Sequence, residues 1–270
     1  MKDLFISSKD NPKIKKLSGL ISSKKQRNSE GAFVIEGVRS CTDAITEWKN
    51  GSLDIKSVFC TRSAADMIAQ RLGARDFEMM LGERLFEISD QLAAKVSDEG
   101  NTQGAFVIAA FLHESLSGPL QGRRYVVLDN IQDPGNLGTI LRTADAVGAD
   151  GVILTNNCTE LYNPKVIRSS MGSISRIEVY IERDLEQVIS VLKTSKIKSI
   201  AAVVREGRLL SGYSFPDKCA IVIGNEGRGL TDEHISLCDD CVTIDMHGRL
   251  DSLNASVAAA VLMWEMSKGG

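Results

Sequence analysis

The chain has 270 residues, 43% of them apolar and 25% charged, and a formal net charge of −3. That length allows a well-buried core and favours two domains over one. The composition is that of a globular protein, and its slight acidity excludes generic adhesion to nucleic acid as the basis of any function.

Residues 1–30 depart from that average. Lys2, Lys9, Lys13, Lys15, Lys16, Lys24, Lys25 and Arg27 face only Asp3 and Asp10 before Asn28. Ile14, Leu17, Leu20 and Ile21 recur at helical spacing among them. The segment reads as a basic helical start, either a solvated face or a phosphate-seeking patch. From Ala32 the pattern becomes α/β. Apolar runs at 33–35, 57–60, 85–88 and 105–111 read as strands, with helices over 38–48, 64–72 and 90–96. Together they predict a small α/β domain over residues 1–114. Residues 115–124 carry Gly118, Pro119 and Gly122 without core spacing and read as a linker.

A regular alternation then runs through a second domain, 125–270. Strands are predicted at 125–128, 151–154, 177–181, 200–204, 220–223 and 242–244, with helices at 137–147, 165–170 and 185–192. Asn136 is read as the start of the first of these helices and Gly148 as its end. Near-continuous apolar strands separated by helices predict a parallel sheet covered on both faces. Ligands of such sheets bind at the carboxyl ends of the strands. The last segment, from Ser252-Leu253-Asn254 onward, is apolar nearly all round, so it is expected to be buried on more than one side.

Two loops at those carboxyl ends stand out. One runs from Asp129 to Asn136 and enters the helix carrying Arg142. The other is Gly224-Asn225-Glu226-Gly227-Arg228-Gly229. Its G-x-x-G-x-G order is not the dinucleotide fingerprint, and the Lys-Ser/Thr of a phosphate-binding P-loop is absent. Its glycines do permit close backbone approach to a flat ligand, with Glu226 and Arg228 displayed between them. A tight turn with a solvated Glu and Arg accounts for the same letters.

The six cysteines are scattered, which suits reduced thiols. Cys238 and Cys241 form one CxxC, but a zinc site needs two further ligands, so no metal is expected. With no long apolar run and no leader-like start, the chain is expected to be cytoplasmic, without a membrane segment.

Three stretches together resemble the signature motifs of the SpoU (TrmH) family of RNA ribose 2′-O-methyltransferases, in the SPOUT superfamily. They are DNIQDPGNLGTILRTADAVGADGVIL at 129–154, IVIGNEGRGL at 221–230 and IDMHGRLDSLNASVAAAV at 244–261; NPKVIRSSMGSISRI at 163–177 is also similar to that family. In the first domain NPKIKKL, FVIEGVR and NTQGAFVIA resemble the family's small, ribosomal-protein-like RNA-binding domain. The resemblance implies a catalytic domain with a parallel sheet tied in a trefoil knot, binding S-adenosylmethionine. It implies that Gly224, Ile244 and Leu253 hold the cofactor through their backbones. Asn136, Arg142, Glu226, Ser252 and Asn254 would line the reaction site. It also implies an RNA substrate, ribosomal before transfer RNA, and a homodimer joined through the catalytic domain. One departure is Asp245, where the family often has Pro. The competing readings are a transfer-RNA ribose methyltransferase and a non-catalytic RNA-binding or ribosome-assembly factor on the same fold, with a nicotinamide enzyme further off.

Overall fold

A computed structural model describes residues 5–73 and 77–268. Lys2 and Asp3, counted above in the basic start, lie outside the described residues. The chain divides into two compact units. The first comprises the described residues up to Leu112 with Tyr162–Ser175; the second comprises His113–Leu161 and the described residues from Arg176 onward.

The first unit runs β1 (Phe5–Ile6), α1 (Pro12–Ser22), α2 (Lys24–Glu30), β2 (Ala32–Glu36), α3 (Val38–Lys49), β3 (Ile55–Cys60), α4 (Arg62–Leu72), α5 (Phe77–Leu81), β4 (Leu85–Ile88), α6 (Asp90–Val96) and β5 (Ala105–Ala110). Its five strands form a mixed sheet in the order β1-β4-β3-β5-β2, with β5 antiparallel to both β2 and β3. The apolar face of α1 (Ile14, Leu17, Leu20 and Ile21) enters the core with Phe59, Phe86 and Phe106. Amphipathic spacing set that face, and Asn11 caps the helix by accepting from Lys13 N–H. Arg27 is not part of a basic surface. It is 4% exposed and donates to the carbonyls of Leu20 and Ile21 at 2.7 and 3.0 Å, filling acceptors that the end of α1 leaves open. Lys16 is paired with Glu30 and Lys15 with Asp10, so the free positive excess is smaller than the letters imply.

The segment 162–175, including α8 (Pro164–Ser170), clusters with this unit although its sequence lies within 125–270. The anchor is aromatic. Tyr162 stacks on Phe111 with ring centroids 4.0 Å apart, and its hydroxyl accepts from Leu112 N–H at 2.7 Å.

The second unit runs β6 (Arg124–Leu128), α7 (Pro134–Ala146), β7 (Gly151–Thr155), β8 (Glu178–Glu182), α9 (Leu185–Thr194), β9 (Lys198–Ala202), β10 (Arg208–Leu209), β11 (Cys219–Ile223), α10 (Asp232–Leu237), β12 (Asp240–Thr243) and α11 (Ala255–Lys268). Its seven strands are all parallel, in the order β10-β12-β9-β11-β6-β7-β8. Tyr125, Val127, Ala220 and Val222 pack with α9. The alternate residues Val126, Leu128 and Ile221 are equally buried on the other face, the side of α7 and α11. Both faces being covered explains the unbroken apolar strands.

Several expectations are corrected by local chemistry. Asn136 does not cap α7. Pro134 lacks an N–H and is pre-set for the first helical position, so the helix starts there and Asp133 is the cap, accepting from Asn136 N–H at 2.9 Å. Residues 115–124 are not clear of the sheet, since Leu120 is buried and its N–H donates to Ser195 Oγ. Within the chain α11 is covered along one side. Ala255, Ala259, Leu262, Met263 and Met266 are covered, while Val257 and Trp264 are 48% and 58% exposed. No helix among the described residues is long and apolar enough to cross a membrane, and none of their His, Cys, Asp and Glu side chains group as a metal site would require.

Candidate active site

The carboxyl ends of β6, β11 and β12 bring the predicted loops together. The loop after β11 folds on itself. Asn225 and Gly229 exchange backbone hydrogen bonds of 3.1 and 2.8 Å, and Asn225 Oδ1 accepts from Gly227 and Arg228 N–H. Gly229 has φ +68°, the left-handed region that favours glycine. A Cβ on Gly224 would stand 2.4 Å from the Gly229 carbonyl carbon and the Leu230 nitrogen. Both glycines are therefore demanded by the turn.

The turn presents the Glu226 carboxylate to the loop after β6. It accepts from Asp133 N–H at 2.9 Å, Gln132 N–H at 3.1 Å and Asn136 Nδ2 at 3.1 Å. Loss of hydration pushes this carboxyl up, but the donors from Asp133, Asn136 and Gln132 outweigh that and hold it below its ordinary value. Asn136, 8% exposed, passes the connection on: its Oδ1 accepts from Asn254 Nδ2 at 3.0 Å. Asn254 Oδ1 in turn accepts from Ser256 N–H and Oγ and from Val257 N–H, capping α11. A chain Glu226–Asn136–Asn254 thus joins two loops and the first turn of α7, with 226 and 136 lying 90 apart in sequence and 136 and 254 lying 118 apart.

Beside it lies a cavity of about 220 Å³, with Gly224, Glu226, Ile244, Ser252 and Leu253 among its lining residues. Val203, Val242 and Leu262 give it apolar walls. Among the described residues the backbone groups of Ile244 and Leu253 have no hydrogen-bond partner in the chain, so they are free for a ligand with polar edges. Asp245, just beyond Ile244, accepts from Ser211 N–H and Oγ at 2.9 and 3.0 Å. The Ser211 main-chain donor holds its carboxyl below the usual range. The turn after β12 is thereby fixed by a side chain where a proline ring would otherwise restrict it.

Arg142 is not drawn into this network. It lies six residues after Asn136 on α7, roughly two-thirds of a turn away around the helix. It is exposed, with no hydrogen bond or ion pair among the described residues. Ser252 is likewise exposed, at the cavity wall. Two participants escaped sequence reasoning although a signal for each was present. Asp133 precedes a proline at a helix start, and Asn225 is an Asn in a Gly-rich turn, where its side chain locks the backbone. Its Nδ2 also donates to Asn130 O. A third feature, the His234–Asp129 pair, had no signal at all, its members being 105 residues apart.

The described geometry has counterparts in known proteins. The SpoU rRNA Methylase family profile matches residues 123–264, and that of the MRM3-like substrate binding domain matches residues 11–107. An uncharacterized tRNA/rRNA methyltransferase of Synechocystis is 30% identical over 96% of this chain and 92% of its own length. The 23S rRNA (guanosine(2553)-2'-O)-methyltransferase RlmP of Bacillus subtilis is 29% identical over 97% and 98%. Among solved structures, an AdoMet-bound rRNA methyltransferase from Sinorhizobium meliloti superposes with a TM-score of 0.83 at 27% identity, covering 98% of this chain and 97% of that one.

Proposed function

The chain belongs to the SpoU rRNA methylase family, and on that premise we propose that it transfers a methyl group from S-adenosylmethionine to the 2′-hydroxyl of a ribose in structured RNA, ribosomal before transfer RNA. The observation that carries this reading is the Glu226–Asn136–Asn254 chain drawn tight beside the cavity.

The cavity fits the cofactor. Apolar walls suit a nucleoside, and the unpaired backbone groups of Ile244 and Leu253 suit its polar edges. Gly224, Ile244 and Leu253 would hold the bound molecule, which supplies a methyl carbon already activated by its sulfonium. The chain's own task is to align the ribose hydroxyl and manage its proton. Glu226 is a positioning residue. Its oxygens accept from Gln132, Asp133 and Asn136 and, at 3.5 Å, from Asn225, and a carboxyl held below its ordinary value is a weak base. Asn136 and Asn254 are spent on each other and on the helix cap. Ser252 offers its hydroxyl at the wall. Arg142 is permanently charged, so it grips a phosphate of the substrate and stabilises the developing alkoxide, and a phosphate oxygen or water takes the proton.

The first unit is read as the RNA-gripping domain, and the whole as a cytoplasmic enzyme. The exposed lysines of α1 and α2 supply the phosphate contacts that dominate RNA affinity. Two further properties belong to the reading. The strand order, with β11 and β12 on either side of β9, supports a trefoil knot through the segments after them, a rare exception to unknotted connections. The stripe Val257, Ala260, Val261 and Trp264 on α11, at one-face spacing and half-buried to exposed, supports a homodimer that covers it.

Calorimetric titration with S-adenosylmethionine tests the cofactor. No binding by folded protein would leave the rival RNA-binding factor as the better account. Mapping ribose methylation in RNA from cells with and without the gene tests the substrate, and a missing methyl group in ribosomal RNA is the expected result.

A further inference from the structure

Asp129 follows the last residue of β6 and is 5% exposed. A buried carboxylate is costly unless paired, and this one is paired twice. Its Oδ2 accepts from His234 Nδ1 at 2.6 Å, and its Oδ1 accepts from Thr155 Oγ1 at 3.0 Å. His234 belongs to α10, whose cap Thr231 accepts the His234 N–H at 3.1 Å and directly follows Leu230, the end of the glycine turn. The imidazole therefore ties the exit of the Glu226 loop to the root of the loop after β6.

That second loop needs a root. Asn130 holds φ +61°, a conformation that disfavours a side chain. Its N–H donates to Thr155 Oγ1 at 3.3 Å, and its carbonyl accepts from Asn225 Nδ2 at 3.0 Å. Two residues on, Gln132 and Asp133 turn their N–H groups onto Glu226. A left-handed residue persists only where neighbours over-determine it; here Asn225 holds its carbonyl, and Thr155, which holds its N–H, is itself bonded to Asp129.

We propose that His234, through Asp129, is a positioning residue for methyl transfer: it clamps the 129–133 loop so that Glu226, Asn136 and the start of α7 are held in reacting register. His234 does not line the cofactor cavity, so the clamp acts on turnover and leaves cofactor affinity alone. Its kinetic consequence rests on the methyl-transfer reading; its structural one does not.

The experiment uses the full chain with His234→Ala and His234→Asn, because an Asn amide puts a donor where Nδ1 stood. Hydrogen exchange is followed peptide by peptide, beside steady-state methylation of ribosomal RNA and calorimetry with S-adenosylmethionine. In His234→Ala, exchange within 129–136 and kcat should change by about tenfold or more, the usual weight of a hydrogen bond to a charged group. Cofactor affinity should stay within about twofold, a change too small to count as a lost contact. His234→Asn should recover most of both effects, and it carries the test alone if the Ala variant does not fold. Wild-type exchange over 129–136 in His234→Ala overturns the clamp. So does an equal loss of turnover in the two variants. If the wild type methylates nothing, the functional reading fails, and the exchange measurement alone then decides the clamp.

Discussion

Glu36 and Glu226 are both glutamates at the carboxyl end of a strand, Glu36 as the last residue of β2 and Glu226 in the loop after β11, and their carboxyls are shifted in opposite directions. For both, burial is the largest influence and pushes the carboxyl up. The hydroxyls of Ser97 and Thr102 and the charge of Arg168 offset it only in part, and the neighbouring Glu99 adds to the rise, so its carboxyl ends above the ordinary value. Glu226 has two backbone N–H groups and an amide aimed at it, and ends below. The difference teaches that depth and aimed donors act together: the half-buried Glu36 keeps its rise, while at the more exposed Glu226 the donors outweigh a smaller loss of hydration. The carboxylate held below its ordinary value organises a site, and the one raised above it takes a proton more readily.

The sharpest way to break this comparison is the same substitution at both positions. Glu226→Gln keeps the size but cannot accept from its donors as a charge. Loop and helix start should drift, with turnover falling by about a hundredfold, the scale of losing preorganised electrostatics. Because the carboxyl is exposed, the melting temperature at neutral pH should fall only modestly beside that loss of turnover. Turnover close to wild type would remove Glu226 from the site. Arg142→Lys comes next, with about a tenfold loss in kcat expected because charge is kept and the bidentate fork is lost. Since Arg142 makes no hydrogen bond or ion pair among the described residues, stability should not move. Near-wild-type turnover would rule out fork-like positioning as an essential role.

Much of this was legible in the letters and some was not, for physical reasons. Strands such as β6 and β11, buried on both faces, advertise themselves as unbroken apolar runs. The glycines around Glu226 mark a turn before any coordinates exist, because only glycine accepts both its φ and its backbone crowding. What letters conceal is direction. Arg27 stands among lysines in sequence and yet points inward to the carbonyls of α1. The partner of Asp129 comes from a helix, α10, whose six residues are too short for a periodic signal. The uncovered side of α11 was hidden for the opposite reason. Its composition is apolar all round, so periodicity could not say which side the chain itself covers.

Asn254 separates the two roles combined in the site. Its Oδ1 caps α11 while its Nδ2 donates to Asn136. Asn254→Ala removes both and should cost about 1 kcal/mol of stability, the usual worth of a cap, together with turnover. Asn254→Asp keeps an acceptor that caps well but offers no donor. Its melting temperature should stay near wild type while kcat falls. Parallel losses of stability and turnover in the Asp variant would mean that the Asn136 link carries no function of its own.

The smallest effect returns to Glu36 and is read from the pH dependence of stability. Its folded-state value is raised above the ordinary 4.5, so the fold favours the protonated form. That stability is fully present below the unfolded value and is lost as pH rises through the folded one. Ser97 and Thr102 both donate to Oε1, an oxygen that Gln retains, so Glu36→Gln resembles the protonated acid and does not titrate. The variant should match wild type in acid and become the more stable of the two as pH rises above 4.5, the gap levelling off once Glu36 is fully ionised. Glu226 runs the other way. Its depressed value means stability that is present above 4.5 and lost as pH falls through the folded value, so Glu226→Gln should differ from wild type at neutral pH and converge with it in acid. Melting curves of both variants against wild type from acid to neutral pH give the sign directly. If both gaps moved in the same direction, the opposite charge preferences of the two carboxyls, and with them the role of fixed donors at Glu226, would be wrong.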